Sequence, residues 1–344
     1  MCRQHALFPM KDLFAELAKR PPLDRLSVAS LEPSDGDGKC QRQDPSFVDP
    51  EDVVFLAGLP RINTLDCYLQ STSDWTSLSS QLLAIPFKNL RHLKLYGGMV
   101  KRNDTYYKAD GDATVRSLTL FLQALRPACP LEDMDIRVLK AAAVTTPVLQ
   151  DLFSAIGAFH ASLDACFLEI DAPSSVDTPP VTMDALTPLL PVRMHGLALS
   201  HTAVDLGTAD VHALAEAWGA ALRWLLLGQR AARTVPRVPL GALPELFGAL
   251  WQIQELGLRV HDDAPTYPGQ CCGRSEELDL GYSALEPANF ARAAEFLVDT
   301  CPCYSMRLAD PRDKAVGVLW ERAVDKAENG QWERARAREE ARRE

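Results

Sequence analysis

One six-residue pattern constrains this chain more than anything else in it. Leu90-Arg91-His92-Leu93-Lys94-Leu95 has the form L-x-x-L-x-L, and variants of it return along the whole sequence. The early cores are Leu23-x-x-Leu26-x-Val28, Ile62-x-x-Leu65-x-Cys67, Leu131-x-x-Met134-x-Ile136 and Leu163-x-x-Cys166-x-Leu168. Later come Met194-x-x-Leu197-x-Leu199, Leu222-x-x-Leu225-x-Leu227 and Ile253-x-x-Leu256-x-Leu258, then the weaker Ser275-x-x-Leu278-x-Leu280 and Cys303-x-x-Met306-x-Leu308. From 26 to 306 the chain makes nine steps, with a mean period of about 31 residues, slightly beyond the roughly 20–29 usual for leucine-rich repeats.

Each core is short and alternates apolar with polar at its end, which suits a strand. Between cores lie stretches with apolar residues at i, i+3 and i+4, which suit helices with one buried stripe. Asp12–Ala18, 148–156 and 211–218 are the clearest. Prolines at Pro21-Pro22, Pro60 and Pro130 break the helical pattern before the next core. One helix–strand unit cannot bury its own apolar face, whereas stacked units share a continuous core. The expected fold is α/β: a leucine-rich-repeat solenoid, or horseshoe, with a parallel concave sheet, convex helices and about ten irregular repeats. A doubly wound α/β domain also alternates helix and strand, but has no reason to repeat one pattern ten times.

The solenoid is expected over 1–310, with loops at 32–50, 97–113, 172–182 and 261–275, all rich in Gly, Pro or polar residues. Helical character returns at 287–298. A capping helix follows at 311–328 with Trp320 on its apolar side, then a charged tail over 329–344 with pairs such as Arg336–Glu340. No polar capping segment precedes the first repeat, so the natural chain is expected to begin earlier. In the 97–113 loop, Lys101, Arg102 and Lys108 sit beside Tyr106 and Tyr107. That suits an acidic or phosphorylated segment, unless the tyrosines pack on the loop's own base.

Composition narrows the function. The 344 residues carry a formal net charge of -10, which argues against generic nucleic-acid binding, since phosphates need clustered Lys and Arg. Nine cysteines fall at irregular spacing, and Cys67, Cys166 and Cys303 occupy apolar slots of the repeat. That fits a reducing compartment better than a disulfide framework. No signal peptide or membrane span is visible. Cytoplasm or nucleus is expected.

Catalytic and metal patterns are weak. Cys271-Cys272 and Cys301-x-Cys303 are poorly spaced for zinc. Ser200, His201 and Asp205 lack a nucleophile elbow. Gly97-Gly98 and Gly36-x-Gly38 lack the residues of a phosphate loop. No enzyme activity, cofactor or metal is expected.

What remains is the inner face of the sheet. Neighbours of the core residues point away from the core by period-two alternation. They run Arg25 and Ser27; Thr64, Asp66 and Tyr68; His92, Lys94 and Tyr96; Asp133, Asp135 and Arg137; Phe167 and Glu169. Ala198, Ser200, Trp224, Leu226, Glu255, Arg259, Glu277, Asp279 and Arg307 continue the series. The expected partner-binding residues are Asp66, Tyr68, His92, Lys94, Tyr96, Asp135, Arg137, Phe167, Glu169, Trp224 and Leu226. Large side chains with mixed charges around them suit a protein or peptide partner on the concave face.

The order of these cores, with Leu278-Asp279-Leu280-Gly281-Tyr282-Ser283 followed by a helical stretch and Cys301-Pro302, resembles the leucine-rich-repeat region of fungal F-box proteins across most of 10–325. The resemblance implies a substrate receptor of a cullin-RING ubiquitin ligase, with an F-box docking on the ligase adaptor and the repeats capturing substrate. Two features depart from the family. No F-box-like Leu-Pro-x-Glu segment precedes the repeats; Phe8-Pro9-Met10 is too short. The position usually held by Asn or Cys carries Leu31, Gln70, Gly98 and Leu139 instead. The alternative expectation is a GTPase-regulating repeat protein of the Ran GTPase-activating type, although the regular repeats and strongly acidic tail that would favour it are missing.

Overall fold

The structure is a computed structural model. It describes residues 25–27, 47–59, 61–102, 105–125, 129–231, 234–262, 275–300, 303–308 and 317–326, plus 329, 330, 336 and 340. The chain divides into two compact units, Met1–Cys166 and Phe167–Glu344.

The first unit alternates strand and helix. Strands β1 (Arg25–Ser27) and β2 (Phe47–Val48) lead into helix α1 (Pro50–Ala57) and strand β3 (Thr64–Leu69). Helix α2 (Leu78–Ala84) and strand β4 (His92–Gly97) follow. A hairpin, β5 (Met99–Arg102) and β6 (Thr105–Lys108), precedes helix α3 (Gly111–Leu125), strand β7 (Asp133–Val138) and helix α4 (Thr146–Gly157). The main sheet is parallel in the order β1-β3-β4-β7, with β2 beside the end of β3. Strand β8 (Ala165–Ile170) contains the division between the units.

The second unit holds helix α5 (Met183–Leu186), strand β9 (Met194–Leu199), helix α6 (Thr208–Trp218) and strand β10 (Trp224–Leu227). Then come β11 (Val238–Pro239), α7 (Leu243–Ala249), β12 (Glu255–Leu258), β13 (Val260–His261), β14 (Ser275–Asp279), α8 (Phe290–Thr300) and β15 (Cys303–Arg307). Its main sheet is parallel in the order β9-β10-β12-β14-β15, and β11 pairs with β13.

Every one of the ten anchors, from Leu26 to Met306, falls on a strand. Leu26 pairs with Leu65, Leu65 with Leu93, and Leu93 with Met134. In the second unit Leu197 pairs with Leu225, Leu225 with Leu256, Leu256 with Leu278, and Leu278 with Met306. The backbone fixes this alignment with a joint that recurs. The Asn63 carbonyl accepts the amides of both Arg91 and His92; Arg91 does the same for Glu132 and Asp133, and Glu132 for Asp164 and Ala165. Arg223 accepts Gln254 and Glu255, and Gln254 accepts Glu276 and Glu277. Each acceptor is the second residue of one core, and each donor pair is the second and third residues of the next. A slip of one residue would turn every side chain to the wrong face.

The apolar face packs on helices. Leu93, Leu95, Met134 and Ile136 are all at most 2% exposed. On α3, Val115, Leu118, Leu122 and Leu125 follow helical spacing and are buried. Gly97 ends β4 against α3: a Cβ there would stand 2.5 Å from Thr114 Cγ2. Helix starts are held locally. Asp49 and Asp52 form a capping box at α1 with Pro50 in its first turn. Asp112 of α3 accepts from the Thr145 amide at 2.7 Å, just before α4.

The helices expected at 148–156, 211–218 and 287–298 are present as α4, α6 and α8, the last led in by a 3-10 turn at Pro287–Asn289. Residues 12–18 lie outside the described residues. Residues 317–326 are helical, with Trp320 1% exposed and its ring edge-on to Phe290. The Arg336–Glu340 pair forms at 3.0 Å. No helix among the described residues is long and apolar enough to cross a membrane.

Two expected loops need correction. The 97–113 segment carries structure on both sides of 103–104, which lie outside the described residues: Gly97 ends β4, 99–102 pair antiparallel with 105–108, and Gly111 opens α3. Gly98 makes the turn possible with φ of 102°, where a Cβ would lie 2.3 Å from the Leu139 carbonyl. The 32–50 segment ends in order, since Phe47–Val48 pair with β3 and Pro50 starts α1; 32–46 lie outside the described residues. The 172–182 loop is tied down by Thr202 donating to the Ala172 carbonyl and by a bridge between Val181 and Val204. At 261–275 both ends are strand residues, and 263–274 lie outside the described residues.

This alternation sets a sharp contrast between adjacent residues of one strand. Leu95→Ala should cost about 2–5 kcal/mol. Lys94→Ala, on the other side, should cost less than about 1 kcal/mol. Urea midpoints of the two variants measure the difference.

Candidate functional site

The face opposite the helices is built in rows, because register places equivalent residues side by side. In the first unit the rows are Thr64-His92-Asp133, Asp66-Lys94-Asp135 and Tyr68-Tyr96-Arg137. Neighbouring strands lie about 4.8 Å apart, so row partners touch. His92 Nδ1 lies 2.5 Å from Asp133 Oδ2. Lys94 Nζ lies 3.9 Å from Asp135 Oδ2. Arg137 donates to both oxygens of Asp135, at 2.9 and 3.2 Å. Arg91 pairs with Glu132 beside the first row. These contacts link the charges to one another, so the face is patterned rather than strongly charged of one sign.

The third row is aromatic. Tyr68 and Tyr96 stack at 4.8 Å with 22° between their planes. Burial, followed by the charges of Asp66 and Asp135, pushes the Tyr96 hydroxyl up to about 12. Burial and Asp66 raise Tyr68 as well. Tyr68 was expected among the large exposed side chains, and this is a correction: it is 4% exposed. Tyr96 covers one side, and β2 runs along the other with Phe47 in register with Tyr68. Tyr68 thus supports Tyr96, and Tyr96 is the half-buried aromatic of this face.

The second unit's face is built differently. Trp224 is flanked in register by Gly196 on one side and Glu255 on the other. Gly196 leaves a notch, and Phe167 fills it: a Cβ on Gly196 would stand 2.2 Å from the Phe167 ring. Phe167 thereby reaches Trp224 edge-on, with ring centres 5.8 Å apart at 81°. The next row repeats the device. Leu226 and the Gln229 side chain lie over Gly257, whose Cβ would meet them at 2.7 and 3.0 Å. Gln229 Nε2 donates to Ser200 Oγ at 3.0 Å.

Carboxylates follow the aromatics. Glu277 pairs with Arg307 at 3.0 Å, and Asp279 with Arg230 at 3.6 Å. Glu255 is half-buried, and its carboxylate makes no hydrogen bond or ion pair among the described residues. Burial raises its pKa above the usual carboxylate range, and Glu277 and Asp279 add to the shift. Glu169 is half-buried on β8. Arg259 is not a face residue: its guanidinium clamps the carbonyls of Tyr282 and Ala231 at 2.9 and 2.8 Å.

No protein-family model and no curated protein matches this chain. The functional reading therefore rests on its own residues.

Several sequence groupings are not brought together. Ser200 meets Gln229, His201 lies 3.5 Å from Asp171, and Asp205 pairs with Arg237 at 3.2 Å. No group of three or more metal-ligating side chains occurs among the described residues. Cys271, Cys272 and Cys301 lie outside them, as do the side chains of Cys303, Arg25, Ser27, Lys101, Arg102, Tyr106 and Tyr107. Buried Cys67 and Cys166 act as small apolar residues; burial holds both thiols protonated. Gly196, Gly257 and Gln229 contribute to the second face without having been singled out from sequence. The signal was available for the glycines, since each stands where its neighbouring strand carries a large side chain.

Two measurements follow. Tyr96 should titrate near 12 by ultraviolet absorbance, and Tyr96→Phe should remove that transition. Because the folded state holds this proton more tightly than the unfolded chain, stability should fall as pH rises from about 10 towards 12. Gly196→Ala should expel the Phe167 ring, weaken the near-ultraviolet circular dichroism of the Phe167–Trp224 pair, and destabilise by about 1–3 kcal/mol.

Proposed function

We propose that this protein is a non-enzymatic recognition scaffold of the leucine-rich-repeat type, whose polar sheet faces capture a protein or peptide partner. One observation carries the reading. The residues opposite the buried anchors set half-buried aromatics, Tyr96 and Trp224, among charges held in fixed rows. Rigid aromatics supply contact area at low entropic cost, and mixed charges around them select orientation and partner. In the first unit the proposed contacts are Asp66, His92, Lys94, Tyr96, Asp135 and Arg137, with Tyr68 beneath. In the second they are Phe167, Glu169, Trp224 and Leu226.

A finer form of the proposal follows from the repeat order: the scaffold serves as the substrate-recognition part of an F-box-like ubiquitin-ligase receptor in cytoplasm or nucleus. The support for that form is the resemblance of the cores alone. Co-purification of a cullin-RING adaptor with the full natural chain tests it.

The binding surface has its own test. Tyr96→Ala combined with Trp224→Ala should lower partner capture by at least about tenfold, while circular dichroism stays native. Quantitative affinity purification with wild type and double variant in parallel reads the change. Equal capture by both would sink this surface as the binding site.

A further inference from the structure

The second unit's face leaves the Glu255 carboxylate without a hydrogen bond or ion pair among the described residues. Around Trp224 stand three carboxylates, Glu255, Glu277 and Asp279, and two guanidiniums, Arg230 and Arg307. The guanidiniums are engaged by Glu277 and Asp279. Glu255 is left over, half-buried, directly in register with Trp224 on the adjacent strand. One row on, Gln229 is 1% exposed and its Oε1 accepts no hydrogen bond among the described residues. Phe167 braces the Trp224 ring from the other side. An aromatic face, an unpaired carboxylate about one strand spacing away and a nearby unbonded acceptor form one chemical pattern. Arg230 and Arg307 act on Glu255 from nearby, but their guanidiniums pair with Asp279 and Glu277.

We infer that the second unit's face binds a basic peptide, with one arginine or lysine side chain lodged against the Trp224 ring and its cationic head on Glu255. This rests on the recognition reading above and names the partner's chemistry for half of that surface. A cation within about 6 Å of an aromatic centre gains from the ring's electron density, and more when partly desolvated. The same cation neutralises a carboxylate that the fold holds in a poor environment beside two other acids. An acidic or neutral peptide would leave Glu255 more buried and still unpaired, which costs affinity. Burial raises the affinity of Glu255 for protons first, Glu277 and Asp279 add to it, and the charges of Arg307 and Arg230 only partly offset the shift. Binding should therefore weaken as pH falls and Glu255 takes up a proton.

The test is selection from a displayed random-peptide library on the intact protein, followed by anisotropy titration of the enriched peptides. The expected winners carry Arg or Lys at a fixed position. Trp224→Ala and Glu255→Gln should each weaken them by about tenfold or more. Glu245→Gln, on the exposed side of α7, should leave them unchanged. Glu255→Gln keeps the side chain's shape, so the test stands even if Trp224→Ala disturbs the Phe167 packing. Replacing the peptide's cation by Gln should abolish the difference between wild type and Glu255→Gln. If the winners are apolar or acidic and Trp224→Ala still weakens them, the cation is overturned and the recognition surface survives. Basic winners indifferent to Glu255→Gln also overturn the cation. No enrichment, or winners indifferent to Trp224→Ala, overturns both for this face.

Discussion

The structure depends on a double hydrogen bond that recurs at the entries of five strands. A carbonyl at the second position of one core receives two successive amides from the next, as at Asn63, Arg91, Glu132, Arg223 and Gln254. That joint sets the register, and the register decides everything about the faces. It puts Leu65 beside Leu93 and Leu93 beside Met134 in the core. It also puts Thr64, Asp66 and Tyr68 beside their counterparts on the other side. The hydrophobic effect supplies the driving force, but the backbone joint decides which residues share a row.

Much of this was legible before any coordinates. A short apolar pattern repeated ten times states the strand positions, and period-two alternation states which face each residue joins. The anchors needed no tertiary information because their own spacing encodes them. What was hidden depends on neighbours far away in the chain. Tyr68 reads as exposed from its own strand; its burial comes from β2, which arrives at Phe47–Val48. The strand pair after Gly97 reads as a loop because each strand is only four residues long and neither alternates apolar with polar. Arg259 has the right parity for the face, yet the carbonyls of Ala231 and Tyr282 claim it. Parity tells a side chain's starting direction, and distant acceptors can redirect it.

Glycine shapes the second face as much as the aromatics do. At Gly196 and Gly257 the missing side chain lets a neighbour lie down across the strand. Phe167 is thereby brought to Trp224 across an intervening strand, and Leu226 settles beside Gln229. The first face has no glycine in its three rows, and several of its side chains pair across neighbouring strands. On the first face His92, Lys94 and Arg137 pair with Asp133 and Asp135, while the second leaves the Glu255 carboxylate without such a pair. The two surfaces thus differ in chemistry although the same register rule generates both.

The entry joint also separates heredity of form from heredity of specificity. It is made of main-chain atoms only, so any residue except proline can donate at it. A stretch running from one such joint to the next is a cassette whose ends are chemically identical to those of its neighbours. Connections between successive anchors range from 22 to 41 residues here, and the joints are the same regardless. Length can therefore drift in the connecting segments, and whole cassettes can be duplicated or lost, without disturbing the alignment of those that remain.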